Sequence, residues 1–157
     1  MRFVKYLLLG IVEYQEVCNF VKTNNQKKEI MGTRSTVKFY SDYDQKTPIL
    51  SVYQQFDGYI SGVGHTLARW LQGKTIINGI QSQTMEDGFA NGMGCLSAQY
   101  VRDQKEAIGG FYLTTPDDKQ EYNYEVRLID GRFEITVDEF KGTPEELLTY
   151  EESDEDE

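Results

Sequence analysis

The chain is poor in the residue types on which most catalysts and cross-linked scaffolds depend. Its 157 residues include one histidine, one tryptophan, two cysteines and three prolines. Two cysteines, Cys18 and Cys95, cannot build a disulfide framework, and with His65 alone beside them they offer no zinc-ligand spacing. No metal and no cofactor are therefore expected. Bases are scarce as well: 16 Lys and Arg stand against 26 Asp and Glu, for a net charge of −10. Phosphate backbones need clustered cations, so this composition argues against nucleic acid as a partner. Long apolar runs are missing too. Residues 6–12 form a short one after a positive start, but Glu13 and Glu16 follow without a small-residue cleavage site. The run falls far short of the roughly 20 residues that a membrane span needs, so no span is expected.

What the chain does have is core material. Hydrophobic residues make up 39% and aromatics 13%, with eleven Tyr and eight Phe. That suits one domain, commonly about 100–150 residues long. The charge divides the chain into three. Residues 1–30 read as an N-terminal extension, either a peripheral amphipathic helix or a non-native segment ahead of a start at Met31. Residues 31–150 read as a single domain carrying 11 bases and 17 acids. Residues 151–157 hold six acids and no base, and read as a disordered acidic tail. With so few cysteines the expected compartment is a reducing cytoplasm.

From residue 33 the apolar pattern has period two. Val37 and Phe39 mark a first strand, and residues 49–56 a second, close enough to form a hairpin. Val63, Leu67, Trp70 and Leu71 then repeat at helical spacing, stopped by Gly73. Residues 74–92 show no period and read as a long loop. A second helix covers 93–105 and a third strand 111–114. Tyr122, Tyr124, Val126 and Leu128 alternate with polar residues up to Asp130-Gly131, and Phe133, Ile135 and Val137 alternate beyond it. A type I′ turn at Asp130-Gly131 pairs Leu128 with Phe133 and Val126 with Ile135 on one face, and Arg127 with Glu134 on the other. Thr143-Pro144 opens a last helix running to about Tyr150. The order β-β-α-α-β-β-β-α predicts an α+β domain, an antiparallel sheet of about five strands with helices on one face.

Ten of the fourteen glycines lie between Gly58 and Gly110. The segment Asp57-Gly58-Tyr59-Ile60-Ser61-Gly62-Val63-Gly64-His65 leads from a strand end through glycines into a helix, where free amides favour an anionic ligand group. A competing reading makes these glycines a tight turn that lets the helix pack closely. Arg34, Gln54, Gly58, Tyr59, Gly62, Gly64 and Arg69 join Asp57 as candidate ligand-binding residues: Arg34 pairs with an anion, Tyr59 stacks, and Asp57 accepts from a sugar hydroxyl or amine. Arg34 could equally be held in a salt bridge to Asp57. Cys95 near the second helix start, with His65 as a base, is a thin nucleophilic pair. Asp57 with Glu86 or Asp87 is an equally thin carboxylate pair.

Several segments together resemble a family of short, uncharacterised proteins of phages, large DNA viruses and some bacteria. They are Met31-Gly32-Thr33-Arg34-Ser35-Thr36, Tyr53-Gln54-Gln55-Phe56-Asp57-Gly58-Tyr59, Gly92-Met93-Gly94-Cys95-Leu96-Ser97-Ala98-Gln99, Gly109-Gly110-Phe111-Tyr112 and Glu121-Tyr122-Asn123-Tyr124. The resemblance covers roughly residues 31–137 and implies a chain start at Met31 and a phage, viral or bacterial setting, with no activity attached. The leading expectation is a small soluble binding protein for an anionic or nucleotide-like ligand. The alternative is a protein-interaction module acting on a host protein through an aromatic sheet face or the acidic tail. A small hydrolase using Asp57 or Cys95 is the third.

Overall fold

The computed structural model describes residues 32–79 and 88–151. The chain divides into two units, Met1–Met31 and Gly32–Glu157. The expected extension, the acids of the tail beyond Glu151, and Glu86 and Asp87 lie outside the described residues.

Two strands open the second unit, β1 (Ser35–Tyr40) and β2 (Pro48–Gln54). A π-helical turn (Ile60–Gly64) leads directly into helix α1 (His65–Gln72). Strands β3 (Thr75–Ile77) and β4 (Phe89–Asn91) follow, then α2 (Gly92–Gln104) and β5 (Phe111–Leu113). The hairpin β6 (Tyr122–Ile129) and β7 (Arg132–Val137), a short β8 (Phe140–Gly142) and the one-turn α3 (Pro144–Leu147) complete the fold.

The α+β class stands, with a correction to the sheet. It has six strands in the order β5-β2-β1-β6-β7-β8, and β3 and β4 form a separate two-stranded sheet. The expected all-antiparallel pairing fails at the centre, where β1 and β6 run parallel, Val37 opposite Tyr124 and Phe39 opposite Val126. The expected loop at 74–92 contains β3 and β4, which pair in parallel. Strand β8 also escaped the pattern, because three residues are too few to show a period.

Parallel β1 and β6 require the chain to return from β5 to the start of β6 between Thr114 and Glu121. That segment crosses the sheet without a helix, over the face opposite α1 and α2. Strand β1 is therefore buried on both sides. Val37 and Phe39 face the helices, and Thr36, Lys38 and Tyr40 lie buried on the outer face, where Lys38 meets the crossing. A short polar lattice holds the crossing down. Lys38 Nζ donates to the Asp118 carbonyl (2.7 Å), and Thr114 Oγ1 and Gln120 Nε2 each donate to the Asp118 carboxylate (2.6 Å). Asn123 Oδ1 accepts from Thr36 Oγ1 and the Gln120 amide, both at 2.9 Å.

On the helix side one core joins Val37, Phe39, Val52, Tyr124, Val126, Ile135 and Val137 to Leu67, Leu71, Met93, Leu96, Tyr100 and Leu147. Each fully buried Leu or Phe contributes about 1.5–3 kcal/mol. Aromatic rings form its densest part: Phe39, Trp70 and Phe111 surround Tyr100 with centroids 4.9, 5.1 and 6.0 Å away. Helices lie on one face, as the alternation of apolar residues predicts.

Candidate functional site

The segment from Asp57 to His65 is built by close backbone approach. Asp57 adopts a left-handed conformation (φ 53°), which turns the chain sharply after β2. The Gly58 amide donates to the Thr33 carbonyl (2.9 Å), laying the turn against the chain that enters β1. A Cβ on Gly58 would sit 2.7 Å from the carbonyl carbon of Arg34, so only glycine fits. The Gly58 carbonyl in turn accepts from the buried Tyr124 hydroxyl (2.8 Å). Gly64 packs on the same tyrosine, and a side chain on Gly62 would run into the Asp57 carbonyl. The reading of these glycines as packing devices thus matches their surroundings.

The turn amides are not free. Gly62 donates to the Tyr59 carbonyl (3.0 Å), Val63 to Asp57 (2.8 Å) and Gly64 to Tyr59 (3.4 Å). His65 donates to Ile60 and Gly62. These four donors are thus taken up within the turn: Gly64 and His65 reach back five residues in π-helical fashion, while Gly62 reaches back three and Val63 six.

The structure gathers Arg34, Asp57, Gly58 and Tyr59, and adds Phe56 to them. Arg34 is exposed, and its guanidinium makes no hydrogen bond or ion pair among the described residues; the alternative salt bridge to Asp57 is not formed. Asp57 instead accepts from the Tyr59 hydroxyl (3.1 Å), which raises the Tyr59 phenol above its ordinary range. Phe56 is 42% exposed and Tyr59 37%. Gly32 lies against the Phe56 ring, bringing the chain ahead of Arg34 beside it.

Gln54 and Arg69 are not part of this group. Gln54 sits opposite Ser35 on the helix side, where its Nε2 donates to Tyr100 Oη (2.9 Å). It shares that side with Val52, two residues earlier, so the period-two pattern already carried the signal. Burial pushes the Tyr100 phenol up well beyond its usual range. Arg69 lies exposed in the last turn of α1, a favourable place for a cation beside the helix C-terminus.

The exposed strip continues beyond Phe56. Gly110 approaches the Phe56 ring, and Tyr112, Leu113 and Ile108 are all exposed. Lys105 organises this corner by donating to the Gly109 and Phe111 carbonyls (3.0 and 2.8 Å) while its Nζ sits 5.4 Å from the Tyr112 ring centroid. The lysine thereby covers part of the open edge of β5 and limits pairing with another strand. Sequence reasoning missed this continuation, since nothing local shows that residues 105–113 return to Phe56.

The thin catalytic pairs find little support in the geometry. Cys95 is exposed, with Gln99 Nε2 3.9 Å from its sulfur. His65 Nε2 is enclosed without a hydrogen-bond partner, and the residue borders a cleft of about 500 Å³ against Leu148, Thr149, Tyr150 and Glu151. No described contact joins His65 to Cys95. Among the described residues no cluster of His, Cys, Asp and Glu could hold a metal.

On the outer face Glu125 accepts from Tyr40 Oη (2.9 Å) and Arg127 Nη1 (2.7 Å), and the Arg127 guanidinium stacks 3.8 Å from the Tyr40 ring centroid. Burial pushes the Glu125 carboxyl up, but the Arg127 and Tyr40 hydrogen bonds outweigh it and hold the group below its usual range. Glu125 thus joins Tyr40 and Arg127 in one cluster, which marks it as a brace.

No family model, curated protein or solved structure matches the chain. No helix among the described residues is long and apolar enough to cross a membrane.

Proposed function

We propose that this protein is a recognition module that binds a protein partner through the strip of Arg34, Phe56, Asp57 and Tyr59, continued by Ile108 and Tyr112. The observation that carries this reading is the exposed Arg34, whose guanidinium has no partner among the described residues and whose backbone packs on the Gly58 turn that also exposes the Phe56 and Tyr59 rings. Arginine and tyrosine are enriched where binding energy concentrates in protein interfaces. Small ligands are normally 70–90% enclosed by their sites, whereas this strip is open. A fitting partner offers an apolar side chain to Phe56 and a carboxylate to Arg34. If the setting is the viral one among those that the resemblance of the Met31-Gly32-Thr33-Arg34-Ser35 opening implies, that partner is a host protein and the compartment the host cytoplasm.

A second reading, a nucleotide-like anion, is favoured by the same guanidinium. Arg34 would hold the anion, a ring of Phe56 or Tyr59 would stack on its plane, and Asp57 would accept from a hydroxyl. Native mass spectrometry of gently purified protein, compared with the denatured mass, tests both. A co-purifying polypeptide lost in both Arg34→Ala and Phe56→Ala supports the protein partner. A small-molecule mass lost in Arg34→Ala selects the second reading. A bare mass from the unaltered chain, or a companion that survives both substitutions, overturns the strip as the binding surface.

A further inference from the structure

At the opposite end of the sheet lies a larger hollow that the proposed function does not use. It is an open hollow of about 680 Å³ between the β1–β2 loop, the ends of β3 and β4, and the first turn of α2. Ligand cavities commonly measure about 300–1,000 Å³. Ile49, Ile76, Ile77 and Leu128 supply apolar walls, with Tyr43 also among the lining residues. Ile49 is 46% exposed although it belongs to a sheet strand.

The polar side of the hollow is built with care. Asp42 reaches from the β1–β2 loop to accept from the Met93 amide through Oδ2 (3.1 Å). Gly92 (φ 73°) leaves room for that carboxylate, since a Cβ there would lie 2.9 Å from Asp42 Oδ2. Asn91 Oδ1 accepts from the Gly79 amide (2.9 Å), tying the far end of β3 to the start of α2. Asp42 Oδ1 has no partner among the described residues, and Asp42 is the only formally charged residue of the described lining. The start of α2 presents roughly half a positive charge. One full carboxylate charge more than offsets it, so the residual field of the hollow is negative.

We infer that this hollow binds a small organic cation with an apolar body, such as an arylalkyl amine. The ammonium group meets Asp42 Oδ1, which an anion would find repulsive. The hydrocarbon part covers Ile49, Ile76, Ile77 and Leu128, removing apolar surface from water.

Phenethylamine is a suitable probe, with phenylacetate and phenethyl alcohol as the same body carrying negative and no charge. Amide chemical shifts of the full-length chain are followed by NMR during titration. Saturable shifts centred on Ile49, Ile76, Ile77, Gly92, Gly94 and Leu128 are expected with the amine. The acid and the alcohol are expected to bind at least roughly tenfold more weakly, a difference of about 1.4 kcal/mol. Asp42→Asn should cost the amine a similar factor and leave the alcohol unchanged. Ile49→Trp fills the hollow from a half-exposed position and should abolish the shifts while the thermal unfolding curve shows a folded chain. Shifts scattered over the surface, equal binding of amine and carboxylate, or an unchanged titration in folded Ile49→Trp would overturn the assignment.

Discussion

Lys38 and Asp118, eighty residues apart, meet across the outer face of the sheet, where the lysine ammonium lies 2.7 Å from the aspartate's backbone carbonyl. Lys38 is only 6% exposed, so its charge is held by that carbonyl and by the field of Glu125 opposite it on β6. The contact fastens the crossing segment to the central strand, and that crossing allows β1 and β6 to run parallel.

Replacing Lys38 by Met preserves the stem and removes the fastening. A hydrogen bond to a charged group contributes about 1.5–3 kcal/mol, so the melting temperature should fall by several degrees. Hydrogen exchange should quicken in residues 114–121, while the amides of the β6–β7 hairpin keep their protection. Uniform loosening of the whole domain would show that the lysine supports the core and not the crossing.

Gly58 and Gly94 should respond to alanine with opposite signs. At Gly58 the new methyl meets the backbone of Thr33 and Arg34 within 3 Å, and backbone cannot swing aside. Overpacking of this kind costs about 1–3 kcal/mol. Gly94 lies in the first turn of α2 with nothing within 4 Å of the new methyl. There alanine should stabilise by about 0.5–1 kcal/mol, because glycine loses more backbone freedom in a helix. Two chemical denaturation curves decide the matter.

Asp103 joins the two long helices by accepting from Trp70 Nε1 (2.9 Å) beside Arg102 and Lys74. The Arg102 hydrogen bond above all, opposed by burial and aided by Trp70 and Lys74, holds its carboxyl at about 2, against an ordinary 3.8. A carboxyl depressed in the folded state stabilises fully above its unfolded value and loses that stabilisation as pH falls through the folded one. Stability should therefore decline between pH 3.8 and about 2, followed by the fluorescence of the single tryptophan. Asp103→Asn should flatten this part of the profile, and an unchanged profile would falsify the linkage. Asp103→Ala should cost about 1–2 kcal/mol at neutral pH by leaving the indole N–H without its acceptor.

Thr143 caps α3 in both directions. Its Oγ1 accepts from the Glu146 amide (3.3 Å), and the Glu146 carboxylate accepts from the Thr143 amide (2.7 Å). Thr143→Ala should cost about 1 kcal/mol, whereas Thr143→Ser should keep most of it. The effect should appear in global unfolding, because α3 seats the fully buried Leu147 in the core.

The parts of this fold legible in the sequence were those where two local signals agree. At the β6–β7 hairpin, Asp130 and Gly131 take φ of 49° and 77°, and the observed register sets Leu128 against Phe133, Val126 against Ile135 and Arg127 against Glu134. Turn chemistry and period two demanded the same register there. At Thr143 a capping residue, a proline and an acidic turn coincide. Strands β3, β4 and β8 offered three residues each and no period. Around Arg34, Asp57 and Tyr59 the grouping was legible, since a β1–β2 hairpin brings the ends of residues 34 and 57 together. The fate of the turn amides was not, because choosing a π-helical turn over a plain helix start depends on how closely Gly58 and Gly64 pack against Tyr124.

Composition, period and turn residues by themselves determined the α+β class, the helix-covered face and the second hairpin. These effects act over a few residues, or through the simple need to bury one face. Strand direction is invisible to that need, since an alternating strand buries the same side chains whichever way it runs. Only the tertiary structure set β1 parallel to β6, placed Lys38 under Asp118, and brought Asp42 to the start of α2. Each of these joins residues far apart in the chain, and its free energy arises only after the sheet and helices have enclosed the groups involved.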